Sequence, residues 1–155
     1  MADGVVRIIW LLHGVNLDML GVRDPGHYGR ITLAELESQV VEDGAARGFE
    51  VHCFQTNHEG DFVEKVHQIA REGAAAVIVN AGAWTHYSYA IRDALELVGA
   101  PLAEVHLSAI EQREDWRRRS VIADLAAVRV SGKGAAGYAE ALAALATAIE
   151  AGGAS

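Results

Sequence analysis

Ala75-Ala76-Val77-Ile78-Val79-Asn80-Ala81 decides the fold of this chain. The run is apolar at every position but Asn80 and is bounded by Gly73 and Gly82. A strand with nonpolar residues on both faces belongs in a sheet covered by helices on both sides. Working outward, four further segments read as buried strands: Val5–Leu12, Phe49–Gln55, Leu102–Leu107 and Ala127–Ser131. Most are rich in β-branched residues, and all are bounded by turn residues.

Helical patterns lie between them. Thr32-Leu33-Ala34-Glu35 is a capping-box sequence, followed by a stripe of Leu33, Leu36, Val40 and Val41, with Gly48 as the stop. Phe62, Val66, Ile69 and Ala70 form a second stripe that Gly73 closes. Thr85 is expected to cap a third helix running to about Leu97. Glu111–Arg119 reads as a short charged helix, and Ala135–Ala151 as a long alanine-rich one. Strands alternating with helices imply parallel strands joined by right-handed crossovers. The expected fold is therefore α/β: a flavodoxin-like, doubly wound, five-stranded parallel sheet. One domain is expected over residues 1–155, with 152–155 as a frayed tail.

Composition narrows the function. Hydrophobic residues make up 51% of the chain and charged residues 22%, and the formal net charge is −8 without a basic stripe. Nucleic acid is not an expected partner. The longest apolar run near the start, Ile8 to Leu12, is too short to span a bilayer, so no membrane is expected. Met1-Ala2-Asp3-Gly4 lacks the charged-then-apolar pattern of a signal peptide, and the expected location is the cytoplasm. The single cysteine, Cys53, sits in an apolar alternating run and reads as a small core residue.

In doubly wound sheets the ligand sits beyond the carboxyl ends of the strands. Those ends carry His13-Gly14-Val15-Asn16, Gln55-Thr56-Asn57-His58-Glu59-Gly60, Asn80-Ala81-Gly82-Ala83-Trp84-Thr85-His86 and Glu104-Val105-His106-Leu107-Ser108. A long loop after the first strand, reaching to Ile31, holds Arg23, Asp24, Pro25 and Tyr28, and loops of that length tend to be lids or binding loops. Arg113 and Arg117 follow the fourth strand. Each has an ordinary reading alone: Asn16 a turn cap, His106 a satisfied buried histidine, the arginines a solvated face. Their coincidence at one sheet edge raises the functional reading. No phosphate loop, zinc-like His/Cys spacing or G-x-S-x-G elbow is present in the sequence. What remains is acid–base chemistry by a phenol, imidazoles, arginines and amides.

These blocks resemble the type II 3-dehydroquinate dehydratases. The resemblance runs through Leu17-Asp18-Met19-Leu20-Gly21-Val22-Arg23-Asp24-Pro25-Gly26-His27-Tyr28-Gly29, the Gln55–Gly60 block, the Asn80–His86 block on to Asp93-Ala94, Glu104–Ser108 with Arg113-Glu114-Asp115-Trp116-Arg117, and Gly132-Lys133-Gly134 with Gly137-Tyr138. It implies a cofactor-free and metal-free hydro-lyase of the shikimate pathway that turns 3-dehydroquinate into 3-dehydroshikimate. It implies Tyr28 as the base, Arg23 as the cation that helps a phenol of ordinary pKa ~10 to ionise, Asn16 holding a water at the developing enolate, and His106 as general acid oriented by Glu104. Asn80 and the amides of Leu107 and Ser108 would hold the substrate carboxylate, and His86 and Arg117 its ring hydroxyls. Arg113 and Asp93 would support the lid, the substrate and the subunit contact. A homo-oligomer, a dodecamer built from trimers, is implied as well.

The sequence also departs from that pattern. His13-Gly14-Val15-Asn16 stands where Asn-Gly-Pro-Asn is usual, Ala109 where Asn is usual and Asp24 where Glu is usual, while Trp84, Tyr87 and Tyr89 are bulky beside His86. Two alternatives therefore stand beside dehydroquinate dehydration. One is a diverged relative performing elimination, isomerisation or cyclisation on another hydroxylated carbonyl compound. The other is a non-catalytic flavodoxin-like binding module.

Overall fold

The computed structural model describes residues 4–22 and 24–153. Five strands, β1 (Arg7–His13), β2 (Phe49–Gln55), β3 (Ala76–Asn80), β4 (Leu102–His106) and β5 (Val128–Ser131), form one sheet in the order β2-β1-β3-β4-β5. Every pairing is parallel. The helices are α1 (Pro25–Tyr28), α2 (Leu33–Ala46), α3 (Glu59–Glu72), α4 (Tyr89–Leu95) and α5 (Ala136–Gly153). The expected doubly wound fold is present.

Strand alternation divides the core in two. Ile9, Leu11, Ile78, Val105 and Val130 pack with Leu36 and Val40 of α2 and with Tyr138, Leu142 and Leu145 of α5. Leu12, Val77, Val79 and Leu102 pack on the other face with Phe62, Val66 and Ile69 of α3 and with Ile91 and Leu95 of α4. All five residues of β3 are buried, as expected of a central strand covered on both faces. Among the described residues no helix is long and apolar enough to cross a membrane.

Local chemistry explains most element ends. Thr32 caps α2 by accepting from the Glu35 amide, and Gly48 (φ 83°) and Gly73 (φ 84°) stop α2 and α3 in backbone that side-chain-bearing residues rarely adopt. Three expectations are corrected. Thr85 caps no helix: Gly82–His86 is a 3₁₀ turn, and α4 begins only after Ser88, whose hydroxyl accepts from the Ile91 amide. Glu111–Arg119 is not one helix but two 3₁₀ turns, Ile110–Gln112 and Asp115–Arg117, broken by Arg113 in extended backbone. α5 continues to Gly153, beyond the expected Ala151, while residues 154–155 of the expected tail lie outside the described residues.

The strand order reverses between β1 and β3, which opens the crevice used by ligands in such sheets. Close backbone approach builds its floor. The Gly14 amide donates to the Asn80 carbonyl at 2.7 Å, and a Cβ on Gly14 would lie 2.1 Å from the Ala81 carbonyl oxygen, so no larger residue fits.

Candidate active site

The first wall of the site is the turn after β1. Asn16 is the one non-glycine residue with positive φ (69°) among the described residues, a conformation asparagine tolerates. Its amide donates to Asn57 Oδ1 at 2.8 Å, Gln55 Nε2 donates to the Gly14 carbonyl at 3.2 Å, and Asn57 Nδ2 donates to Asp18 at 3.1 Å. The block after β2 thus braces the loop after β1. Opposite, Gly82 (φ 62°) turns the chain where a Cβ would lie 2.6 Å from the Val15 carbonyl oxygen.

A cleft opens beyond these turns. Asn16, Tyr28, Asn80, His86, His106, Leu107, Ser108, Arg113 and Arg117 line it, with Val15, Leu17, Gly82, Ala83 and Ile110 as further walls. Two arginines in an otherwise acidic protein make the cleft a place for an anion.

β3 and β4 end in its most firmly held groups. Asn80 Oδ1 accepts from the Gly82 amide at 3.1 Å while its Nδ2 donates to Tyr138 Oη at 3.2 Å. Burial drives the Tyr138 hydroxyl to about 12, so it stays neutral and serves as a fixed partner. His106 Nε2 lies 2.6 Å from Glu104 Oε2. A carboxylate only accepts, so Nε2 carries hydrogen and Nδ1 is the nitrogen left for a ligand. Glu104 is fully buried and also accepts from Ser120 Oγ at 2.6 Å and Arg129 Nε at 2.8 Å. Burial works to raise the Glu104 carboxyl, but His106, Ser120 and Arg129 outweigh it, and it falls below the ordinary carboxylate range.

His86 faces His106, their ring centroids 6.4 Å apart. Its Nδ1 donates to the Arg119 carbonyl at 2.7 Å. Burial pushes this imidazole below its ordinary range, and the nearby His106 and Arg117 charges push the same way, against that bond. A neutral His86 with hydrogen on Nδ1 offers a lone pair at Nε2, suited to accept from a hydroxyl. Arg117 lies over the Trp116 ring at 4.1 Å and 2.7 Å from Glu114, with little side-chain exposure.

The other side of the cleft comes from the long loop. Tyr28 ends the short helix α1, whose start Asp24 caps through the Gly26 amide at 2.9 Å. Arg113 Nη1 donates to Tyr28 Oη at 2.7 Å, reaching back from the extended break between the two 3₁₀ turns. Arg23, the cation expected to assist Tyr28, lies outside the described residues.

Not every expected residue is gathered here. Asp93 stands exposed on α4 and does not line this chain's cleft. Glu104 touches His106 and does not line the cleft. Sequence reasoning missed Ser120 and Arg129. Sheet register sets Arg129 directly opposite Glu104, a pairing that no local sequence pattern carries, and Ser120 likewise had no signal.

The departures fall mostly away from the opening. His13 is fully buried as the last residue of β1, with neither ring nitrogen hydrogen-bonded and Nε2 3.4 Å from Glu37. Trp84 is buried against Phe62, and Tyr87 and Tyr89 point to the surface. Of the changed positions, only Val15 lines the cleft. Cys53 is half-buried near Glu37, its thiol pushed to about 12 by burial and then by that carboxylate, which makes it inert. Among the described residues no group of His, Cys, Asp and Glu could hold a metal ion.

Comparison with known proteins agrees with this geometry. The family model described as dehydroquinase class II matches residues 7–146. A 3-dehydroquinate dehydratase of Syntrophotalea carbinolica is 50% identical over 86% of this chain and 90% of that protein. The enzyme of the same name from Pelobacter propionicus is 50% identical over 95% of this chain and 99% of its own. The crystal structure of type II dehydroquinase from Propionibacterium acnes superposes with a TM-score of 0.88 at 38% identity, covering 94% of this chain and 99% of that one. With its sheet order, its strand-end cleft and these relatives in agreement, the chain belongs to the class II dehydroquinase family.

Proposed function

We propose that this chain is a hydro-lyase that dehydrates 3-dehydroquinate to 3-dehydroshikimate, with Tyr28 as base and His106 as general acid. The observation that carries the reading is that the phenol of the loop and the imidazole ending β4 line one cleft. Tyr28 takes the proton from C2 beside the ketone, and the C–H electron pair becomes an enolate. The Arg113 guanidinium, donating to the phenol oxygen, stabilises negative charge there before the transfer. Arg23 belongs to the same role by family resemblance. Asn16, at the cleft wall, is assigned to the water that meets the enolate oxygen.

The enolate then collapses. A C1–C2 double bond forms, the C1–O bond breaks, and His106 passes its proton to the departing hydroxyl, which leaves as water. Glu104 holds Nε2, so Nδ1 delivers that proton. Asn80, with the Leu107 and Ser108 amides, receives the substrate carboxylate, while His86 and Arg117 receive ring hydroxyls. No step needs a cofactor. One domain across the chain, a dodecamer of trimers and a cytoplasmic site in the shikimate pathway belong to the same reading; Asp93, exposed here, is assigned to the subunit contact.

His13, Trp84, Tyr87 and Tyr89 stand off the cleft, and the one altered residue that lines it, Val15, is an apolar wall that offers no new polar group to a different substrate. Incubating the purified chain with 3-dehydroquinate, without added metal, is expected to yield a conjugated enone followed by its ultraviolet absorbance. Absence of enone at high enzyme concentration refutes the reading.

A further inference from the structure

We infer that Arg129, on the edge strand β5, sets the strength of His106 as a proton donor by acting through Glu104. This rests on the role proposed for His106. Glu104 and Arg129 are directly opposite across β4 and β5, so sheet register, not a flexible loop, brings them together. Arg129 Nε donates to Glu104 Oε1 at 2.8 Å, while His106 Nε2 and Ser120 Oγ share Oε2 at 2.6 Å each. The carboxylate is thus fully buried and held from both oxygens, and its plane is fixed so that Oε2 meets the imidazole.

The charge consequence follows from Coulomb attraction. A buried carboxylate facing only an imidazole favours the imidazolium and makes it a reluctant acid. A guanidinium on the far oxygen draws on the same negative charge, so the proton on His106 is held less tightly and passes more readily to a leaving hydroxyl. The side chain of Arg129 is 47% exposed, so solvent weakens this influence without removing it.

Other charges around His106 do not take its place. From the cleft side come the neutral-leaning His86, the Tyr28 phenol, Arg113 and Arg117. On the β5 side stand Glu111, Lys133 and Glu140, and Lys133 is already paired with Glu140 at 2.7 Å. Of the cations, Arg129 alone among the described residues bonds the carboxylate that holds His106.

Arg129→Gln and Arg129→Lys test the inference. The His106 ring is followed by NMR titration, its signal assigned by its loss in His106→Asn, and kcat and KM for 3-dehydroquinate are measured against pH. In R129Q the His106 titration midpoint is expected to rise by roughly 0.5–1 pH unit. The alkaline limb of the kcat profile should move up with it, and kcat at its plateau should fall about threefold to tenfold with KM little changed. R129K should stay close to wild type. An unmoved midpoint in R129Q, or R129Q and R129K behaving alike, overturns the inference even if the enzyme is active. A wild-type chain that makes no enone while its His106 midpoint still moves in R129Q overturns the proposed reaction and leaves the coupling standing.

Discussion

The two sides of the cleft are built by opposite rules. On the sheet side, His106, Glu104, Asn80 and His86 are buried, and each makes at least one hydrogen bond of 2.6–3.2 Å to a fixed partner. On the loop side, Tyr28 sits in a largely exposed segment whose helix has no buried residue, and its hydroxyl meets Arg113. The contrast separates two tasks. A proton donor must be aimed and tuned before substrate arrives, which calls for a rigid, desolvated setting. A lid must admit substrate and then cover it, which calls for few buried contacts. The sheet side should therefore carry stability and catalysis together, and the loop side catalysis alone.

The largest effect expected from that separation is Tyr28→Phe. Removing the phenol oxygen should lower kcat about a thousandfold, as loss of a general base does. The melting temperature should stay close to wild type, because phenylalanine keeps the ring that packs against the core and loses only the oxygen. A Y28F chain that melts several degrees lower would put the loop inside the cooperative fold and break the contrast.

Glu104→Gln is next and should strike both properties. Glutamine can accept with one oxygen only, so a buried donor from His106, Ser120 or Arg129 is left unmatched. About 1–3 kcal/mol of stability and about a hundredfold in kcat should be lost. Thermal unfolding read beside steady-state kinetics checks this, and a variant that loses activity at unchanged melting temperature would sink the claim for the sheet side.

The same contrast explains what could be read from the sequence. β3 and β4 were legible because consecutive apolar residues announce a covered strand, and their polar last residues, Asn80 and His106, mark the ligand edge. Thr85 misled because a threonine before an apolar stripe resembles a cap. Its carbonyl is instead tied to the Val121 amide at 2.8 Å, a contact across the fold that no local pattern carries. The charged run after β4 misled for the same reason. Helical spacing joins Glu114 to Arg117 and Asp115 to Arg118, yet Arg113 leaves the helix in extended backbone and turns toward Tyr28. Ser120 and Arg129 acquire their roles only when sheet register and chain return are known.

Arg113→Lys sharpens the loop side further. An ammonium keeps the charge but not the fork that fixes its direction, so the phenol loses an aligned donor. A roughly tenfold fall in kcat is expected, with the melting temperature little changed. Kinetics equal to wild type would remove Arg113 from the phenol's activation and leave that task to Arg23.

The smallest expected effect is the pH dependence of stability, and it too should belong to the sheet side. His86 is held below the ordinary imidazole value of 6.5 by burial. Above pH 6.5 the residue is neutral in folded and unfolded chains alike, so its contribution is fully present. As the pH falls through 6.5, the unfolded chain takes up a proton that the fold resists, and stability is lost down to the folded value. Glu104 lies below 4.5, chiefly because His106, Ser120 and Arg129 overcome its burial, so its contribution is present above pH 4.5 and is lost as the pH falls from there through its folded value. The melting temperature should therefore be level between pH 6.5 and 9, decline gently below 6.5 and more steeply below 4.5, and fall again above 9, where the unfolded chain ionises Cys53 and then Tyr138 while burial holds both neutral in the fold. His86→Asn should remove the gentle upper step. E104Q should shrink the lower step without abolishing it, because Glu37 and Glu114 are also held below the ordinary carboxylate range. Y28F should leave both steps in place, and a Y28F profile that lost either one would tie the loop to the buried wall after all.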